Sequence, residues 1–148
     1  MRAVVDETLT VADVMTSDVV TLHMNDVLST ADDVMRLGRI RHLLVVDDDG
    51  TLVGIVSQRD LFHSGLLKAL GYGTHAKQRA LETLAVKDAM HTELLTTTPG
   101  TPLRDAARVM TEQKVGCLPV LENGKLTGIL TEGDFTLLAA GEKTPQKR

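Results

Sequence analysis

The chain has 148 residues, 16 basic against 20 acidic side chains, a formal net charge of −4 and 43% hydrophobic residues. That is the length of one ordinary domain, which buries roughly 70% of the surface its unfolded chain exposes, and the composition is neither disordered nor fibrous. With no Lys/Arg-rich run, and only Phe62, Phe135 and Tyr72 as aromatics, the chain lacks both the charge to bind a phosphate backbone and the rings to stack single-stranded bases, so nucleic acid is excluded as a partner class.

A single cysteine, Cys117, rules out an internal disulfide and gives no sign of an oxidising compartment. Met1 to Thr10 carries Asp6 and Glu7 and no signal-peptide core, and no stretch approaches the roughly 20 apolar residues of a membrane span. The expectation is a soluble, cytoplasmic protein with no membrane partner.

In chain order, residues 1–10 read as a lead-in and Val19-Val20-Thr21 as a short strand. Asp26 then precedes Leu28, Ala31, Val34 and Met35, the spacing of one buried helical stripe. The apolar runs His42–Val46 and Leu52–Val56, separated by Asp47-Asp48-Asp49-Gly50, predict a hairpin, and a second helix follows from Gln58 to about Leu70. The connector from about His63 to Leu84 reads as a helix extension, a break at Gly71-Tyr-Gly73 and another helix.

The same series then recurs. Val11-Ala-Asp-Val-Met15 aligns with Val86-Lys-Asp-Ala-Met90 at an offset of 75, which drops to 74 where the turn Asp47–Gly50 shortens to Glu122-Asn123-Gly124. Fifteen of 49 aligned columns are identical, far more than composition alone produces. In the second copy Leu94-Leu95-Thr96 is the short strand, Thr101-Pro102 starts the helix bearing Leu103, Ala106, Val109 and Met110, Cys117–Leu121 and Leu126–Leu130 form the hairpin, and Glu132 to about Ala140 is the last helix. The fold class is α/β (α+β): two β-α-β-β-α units expected to pack around a pseudo-twofold axis, since one unit alone exposes too much apolar face. The domains are residues 1–10, repeat 1 at 11–64, a helical connector at 65–85, repeat 2 at 86–140 and a polar tail at 141–148. Equivalent loops brought side by side build paired clefts, where a small molecule would bind.

The sharpest motif is Gly54-Ile-Val-Ser57-Gln-Arg-Asp60, repeated as Gly128-Ile-Leu-Thr131-Glu-Gly-Asp134. A hydroxyl residue with an acid three positions on is a capping-box signature. The same residues suit a ligand, because a helix start can hold anionic oxygens and an aspartate can accept two ribose hydroxyls. The two readings are compatible.

With these features occurring twice in register, the chain from about Thr10 to Ala140 resembles a tandem cystathionine-β-synthase (CBS) domain pair, or Bateman module, of the stand-alone bacterial or archaeal type. The resemblance implies a regulatory, energy-sensing module that reversibly binds an adenosine ligand (AMP, ADP, ATP or S-adenosylmethionine) between the repeats and modulates a partner or its own association. It implies a homodimeric disc. Carried over by position, Asp60 and Asp134 would accept ribose hydroxyls, with Ser57 and Thr131 beside the ribose or phosphate. Ile40, Leu44, Val115 and Pro119 would wall the adenine, and backbone groups at Val20, Thr21, Leu95 and Thr96 would read its edge. Arg41 and His42 stand where phosphate binders often carry basic residues, yet their second-copy equivalents are Gly116 and Cys117, and Arg59 is matched by Gly133. The two clefts should therefore differ in their affinity for phosphate. The alternative is a structural dimerisation module with degenerate, ligand-free clefts.

No required cofactor, catalytic dyad or P-loop is visible, so the chain is not expected to be an enzyme. His23, His42, His63, His75 and His91 lack metal-site spacing, and Cys117 on an apolar strand reads as a small core residue. Asp47-Asp48-Asp49 reads as a solvated turn, Met15 and Met90 as core, and Lys143–Arg148 as a frayed tail.

Overall fold

Backbone hydrogen bonding organises the chain into two units that do not follow the order of the sequence repeats. The structure, a computed structural model, describes residues 7–63 and 74–142. The expected helix extension and glycine break, and the tail beyond 142, lie outside those residues. One unit is the continuous stretch Val20–Leu94; the other joins described residues 7–19 to 95–142. Each unit thus takes the lead-in that opens the other repeat, residues 7–19 in one case and 84–94 in the other.

In the continuous unit, β1 (Thr21–His23) runs parallel to β2 (His42–Val46), which pairs antiparallel with β3 (Leu52–Ser57), giving the order β1-β2-β3. Between them α2 (Leu28–Gly38) buries Leu28, Ala31 and Met35 against Leu22, Leu43, Val45 and Val56. Leu44, on the opposite sheet face by strand alternation, is also fully buried. The acidic turn is built by Asp47, whose Oδ1 accepts the N–H groups of Asp49 and Thr51, both at 2.9 Å. Helices α3 (Gln58–His63) and α4 (Thr74–Thr83) follow, then a 3₁₀ turn at Val86–Asp88.

The other unit opens with α1 (Val11–Val14), closed by a capping box in which Asp13 Oδ2 accepts the Thr10 N–H at 2.8 Å. Its α5 (Leu103–Gln113) buries Leu103, Ala106 and Met110 against Val11, Val14, Met15, Leu118, Val120 and Leu130. The hairpin β4 (Cys117–Glu122) and β5 (Lys125–Thr131) turns through Asn123-Gly124, both at positive φ, the signature of a two-residue primed turn. Helix α6 (Glu132–Ala139) closes the unit.

The structure shifts two groups of predicted boundaries. The first strand starts at Thr21, not Val19, and its second-copy counterpart is a single parallel bridge, Thr97 to Val120. In the first copy Met24 N–H extends the ladder to Val46 O at 3.0 Å; the equivalent residue, Pro99, has no N–H to give. The helices start one residue later than expected, with Val27 and Pro102 as caps that make no side-chain bond. Asp26 instead accepts the His23 N–H, at 2.9 Å. The lead-in segments satisfy the first helical N–H groups: Leu84 O receives Leu28 N–H at 2.8 Å and Leu9 O receives Leu103 N–H at 2.9 Å.

Those lead-ins end in matching contacts. His91 exchanges two backbone hydrogen bonds with Ile55 (2.9 and 3.0 Å), and Thr16 exchanges two with Ile129 (both 2.9 Å). The preceding methionines lie across Gly54 and Gly128, where an added Cβ would sit 2.5 Å from Met90 Sδ and 2.7 Å from Met15 Sδ, and 3.0 Å from the carbonyl oxygen of His91 or Thr16. A methionine can swing aside, but a carbonyl tied into two hydrogen bonds cannot. Gly54→Ala and Gly128→Ala are each expected to destabilise the fold by about 1–3 kcal/mol, read as a fall in Tm of several degrees; an unchanged Tm in both would remove the close approach as a constraint.

Candidate functional site

The two repeated motifs form the same local frame in both units. In the continuous unit Asp60 Oδ2 accepts the Ser57 N–H at 2.6 Å, and Asp60 N–H donates back to Ser57 Oγ at 3.2 Å. In the other, Asp134 Oδ2 accepts the Thr131 N–H at 2.9 Å and the Thr131 hydroxyl at 3.3 Å. Both aspartates are buried, Asp60 at 8% and Asp134 at 3% exposure. The capping-box reading of the sequence is therefore realised at both motifs.

The second carboxylate oxygen has a partner that sequence reasoning missed. Thr16 Oγ1 donates to Asp134 Oδ1 at 2.8 Å, and His91 Nε2 lies 2.5 Å from Asp60 Oδ1. A carboxylate only accepts, so His91 presents its Nε2–H to Asp60. Thr16 and His91 occupy the same column of the repeat, immediately after Met15 and Met90. That alignment was the available signal; the chemistry was hidden because one is a hydroxyl and the other an imidazole, and each acts on an aspartate in the opposite repeat.

The remaining predicted residues fall around these frames. In the continuous unit His42 pairs in register with Ser57, and Leu44 lies between Thr21 on β1 and Ile55 on β3. Arg41 is exposed, and its carbonyl accepts the Gln58 N–H at 2.9 Å. Val20 and Thr21 are exposed, whereas Ile40 is half-buried against that unit's core. In the other unit Cys117 pairs with Thr131 and Pro119 with Ile129, while Pro119 O accepts the Thr97 N–H at 2.9 Å. Leu95 and Thr96 are exposed, and Val115 packs on the core. Each unit thus brings its hydroxyl–aspartate frame beside the start of its hairpin, while Ile40 and Val115 already contact their own cores.

Other candidates separate from this frame. Among the described residues no group of three His, Cys, Asp or Glu side chains could hold a metal ion. Nor is any described helix long and apolar enough to cross a membrane. A groove of about 520 Å³ between α2 and α4 is lined by Ser29, Asp32, Asp33, Arg36, Gln78, Leu81 and Glu82, none of them a predicted site residue.

Comparison with known proteins follows the sequence repeats rather than the two structural units. The CBS domain family model matches residues 11–66 and again 86–141. The chain is 33% identical over 128 residues to the uncharacterized protein MJ1404 of Methanocaldococcus jannaschii, covering 84% of this chain and 30% of that protein. Two further curated relatives are spanned over 24% and 43% of their lengths, so the chain matches only part of each. Among solved structures it is similar to CBSX2 in complex with AMP (33% identity, 89% of this chain and 96% of that one, TM-score 0.72). It is also similar to the CBS domain pair of protein MJ0100 in complex with 5′-methylthioadenosine and S-adenosyl-L-methionine (26% identity, 92% and 99% covered, TM-score 0.72).

Cys117, where the first copy has His42, supplies no charge to its frame. Burial, together with the carboxylate of Glu132, pushes its thiol from 9.0 up to about 12. Between those values the unfolded chain releases a proton that the native chain keeps, so this contribution to stability is complete below pH 9 and is lost as pH rises, by about 1.4 kcal/mol per pH unit. Urea unfolding at pH 8.5 and 10.5 should show a steeper loss for the native sequence than for Cys117→Ala; equal slopes would contradict the burial of the thiol.

Proposed function

The chain belongs to the CBS-domain family, with the domain present twice, and from that premise we propose that it is a regulatory sensor that reversibly binds an adenosine ligand. The observation that carries this reading is the repeated frame in which Asp60 and Asp134 are buried, oriented by Ser57 or Thr131, and fixed by His91 or Thr16. A carboxylate offers about four acceptor positions, and one so oriented can take both hydroxyls of a ribose without first losing its own conformational freedom. The likeness to neighbours described with AMP and with S-adenosyl-L-methionine supports the same ligand class.

In this reading Ser57 and Thr131 lie beside the ribose or phosphate, and the aliphatic side chains of Ile40, Leu44, Val115 and Pro119 flank the base. Backbone groups at Val20, Thr21, Leu95 and Thr96 recognise its edge, and Arg41 and His42 supply positive charge to a phosphate. The protein performs no chemistry itself, as is general for CBS-domain pairs. Ligand binding shifts it between two states of differing affinity, altering its association as a homodimer or its action on a partner.

A ligand present at about a hundred times its Kd stabilises the native state by about 2.7 kcal/mol, which thermal denaturation resolves. Addition of AMP, ADP, ATP or S-adenosylmethionine should raise Tm for at least one of the four. By calorimetry Asp60→Ala and Asp134→Ala should each weaken binding by about ten- to a hundredfold, the worth of charge-assisted hydrogen bonds. A Tm unmoved by all four ligands would instead favour a ligand-free dimerisation module.

A further inference from the structure

The turn that leads from β1 into α2 is shaped by a titratable side chain, and the matching turn of the other unit is not. We propose that His23 makes the docking of the lead-in acid-sensitive in the continuous unit. The neutral imidazole holds the turn that grips residues 84–88, and protonation releases it. This device lies outside the hydroxyl–aspartate frames and does not depend on the nucleoside reading.

The His23 ring is engaged at both nitrogens. Nδ1 accepts the Asn25 N–H at 3.0 Å, and Nε2 lies 2.5 Å from Asp48 Oδ1 on the hairpin turn. An amide N–H only donates and a carboxylate only accepts, so these two partners select the neutral Nε2–H tautomer. A protonated imidazole carries a hydrogen on each nitrogen and has no acceptor left, so in any ring orientation the Asn25 N–H loses its partner. The contact with Asp48 then becomes an ion pair, but the Asp48 side chain is 90% exposed, and ion pairs so open to water contribute little. The bond that shapes the turn is present while the ring is neutral and is lost as pH falls through the range, between 8 and 5, in which an imidazole takes up its proton.

What the turn holds gives that change its reach. Asp26 Oδ2 accepts the His23 N–H and His23 O accepts the Asp26 N–H, both at 2.9 Å. Within that loop Met24 O accepts the Lys87 N–H at 3.0 Å and Asp26 O accepts the Val86 N–H at 2.7 Å, and Val27 bridges Ala85. Asn25, the residue the ring fixes, thus sits between the two carbonyls that hold the lead-in. From there the lead-in runs on to Met90 against Gly54 and to His91 on Asp60.

The other unit repeats the grip without the imidazole. Pro99 O and Thr101 O accept the Ala12 and Val11 N–H groups, both at 2.9 Å. In the column of His23 stands Thr98, whose hydroxyl lies 2.7 Å from that of Thr101. Hydroxyls do not titrate in this range, so only one lead-in responds. The charged and titratable groups on the elements around His23 are Asp26 on its own turn, Asp47, Asp48 and Asp49 on the hairpin turn, and Lys87 and Asp88 on the lead-in. Of these, Asp48 alone bonds the ring.

Amide hydrogen exchange on the full chain at pH 5.5 and 7.5, corrected for the intrinsic exchange rate, tests this. Protection of Val86 and Lys87 should fall by about three- to tenfold at the lower pH, the worth of one hydrogen bond, while that of Val11 and Ala12 stays level. His23→Thr, which installs the residue of the matching column and keeps His91 and every carboxylate, should abolish the difference. His23→Gln, neutral and able both to donate and to accept, should do the same, and it decides the matter if His23→Thr fails to fold. Protection at Val86 and Lys87 that is level or higher in acid would overturn the proposal. So would a fall that persists in the folded variant or appears equally at Val11 and Ala12.

Discussion

Both units depend on one contact, the docking of a lead-in segment along the outer edge of the hairpin's second strand. Two backbone hydrogen bonds fix the segment, at Thr16 with Ile129 and at His91 with Ile55. In the continuous unit the sheet order leaves β3 at an edge, so the bridge also covers backbone groups that would otherwise be open to pairing with another chain. The contact is close because the strand presents glycine there. Gly54 admits Met90 and Gly128 admits Met15, and each methionine then fills space a strand side chain would have taken. The residue after the methionine is thereby delivered to the buried aspartate.

The aspartates join the local and the functional levels of the structure. Each closes its helix start through one carboxylate oxygen and holds the lead-in side chain through the other. Burying a carboxylate is costly unless its acceptors are filled, and these bonds offset that cost while aiming the group. A capping role and a binding role are thus two uses of one orientation. The helix start needs the carboxylate beside the Ser57 or Thr131 N–H, and a sugar diol would need it held in the same place.

Much of this was legible in the sequence because it is periodic. The stripes Leu28-Ala31-Met35 and Leu103-Ala106-Met110 and the two hairpins follow from spacing alone, and the motif from Ser57 to Asp60 announced a capping box. What was not legible is whatever depends on a distant partner. Thr101 with Pro102 looked like a helix start and Asp26 stood just ahead of the other stripe, but carbonyls of Leu84 and Leu9 supply the missing acceptors, and no local pattern reports them. The first strand of the second copy faded to a bridge through a single proline, Pro99, whose consequence is visible only once the partner strand is known. Thr16 and His91 escaped notice because their chemistry lies on aspartates 118 and 31 positions away.

Those two separations carry a consequence for how the chain acquires its structure. The contacts are geometrical equivalents, yet one closes a loop of 31 residues inside a continuous stretch and the other joins residues 118 positions apart. Loop-closure entropy grows with the logarithm of length, and nearly two doublings from 31 to 118 residues add about 1.2 kcal/mol to the ordering cost of the longer one. During synthesis from the N-terminus the His91–Asp60 contact has both partners available as soon as His91 emerges. Thr16 must wait until Asp134 has been made. An internal duplication that looks symmetric when complete is therefore built asymmetrically in time, with the earlier-made of its two bridging segments the later to find its place.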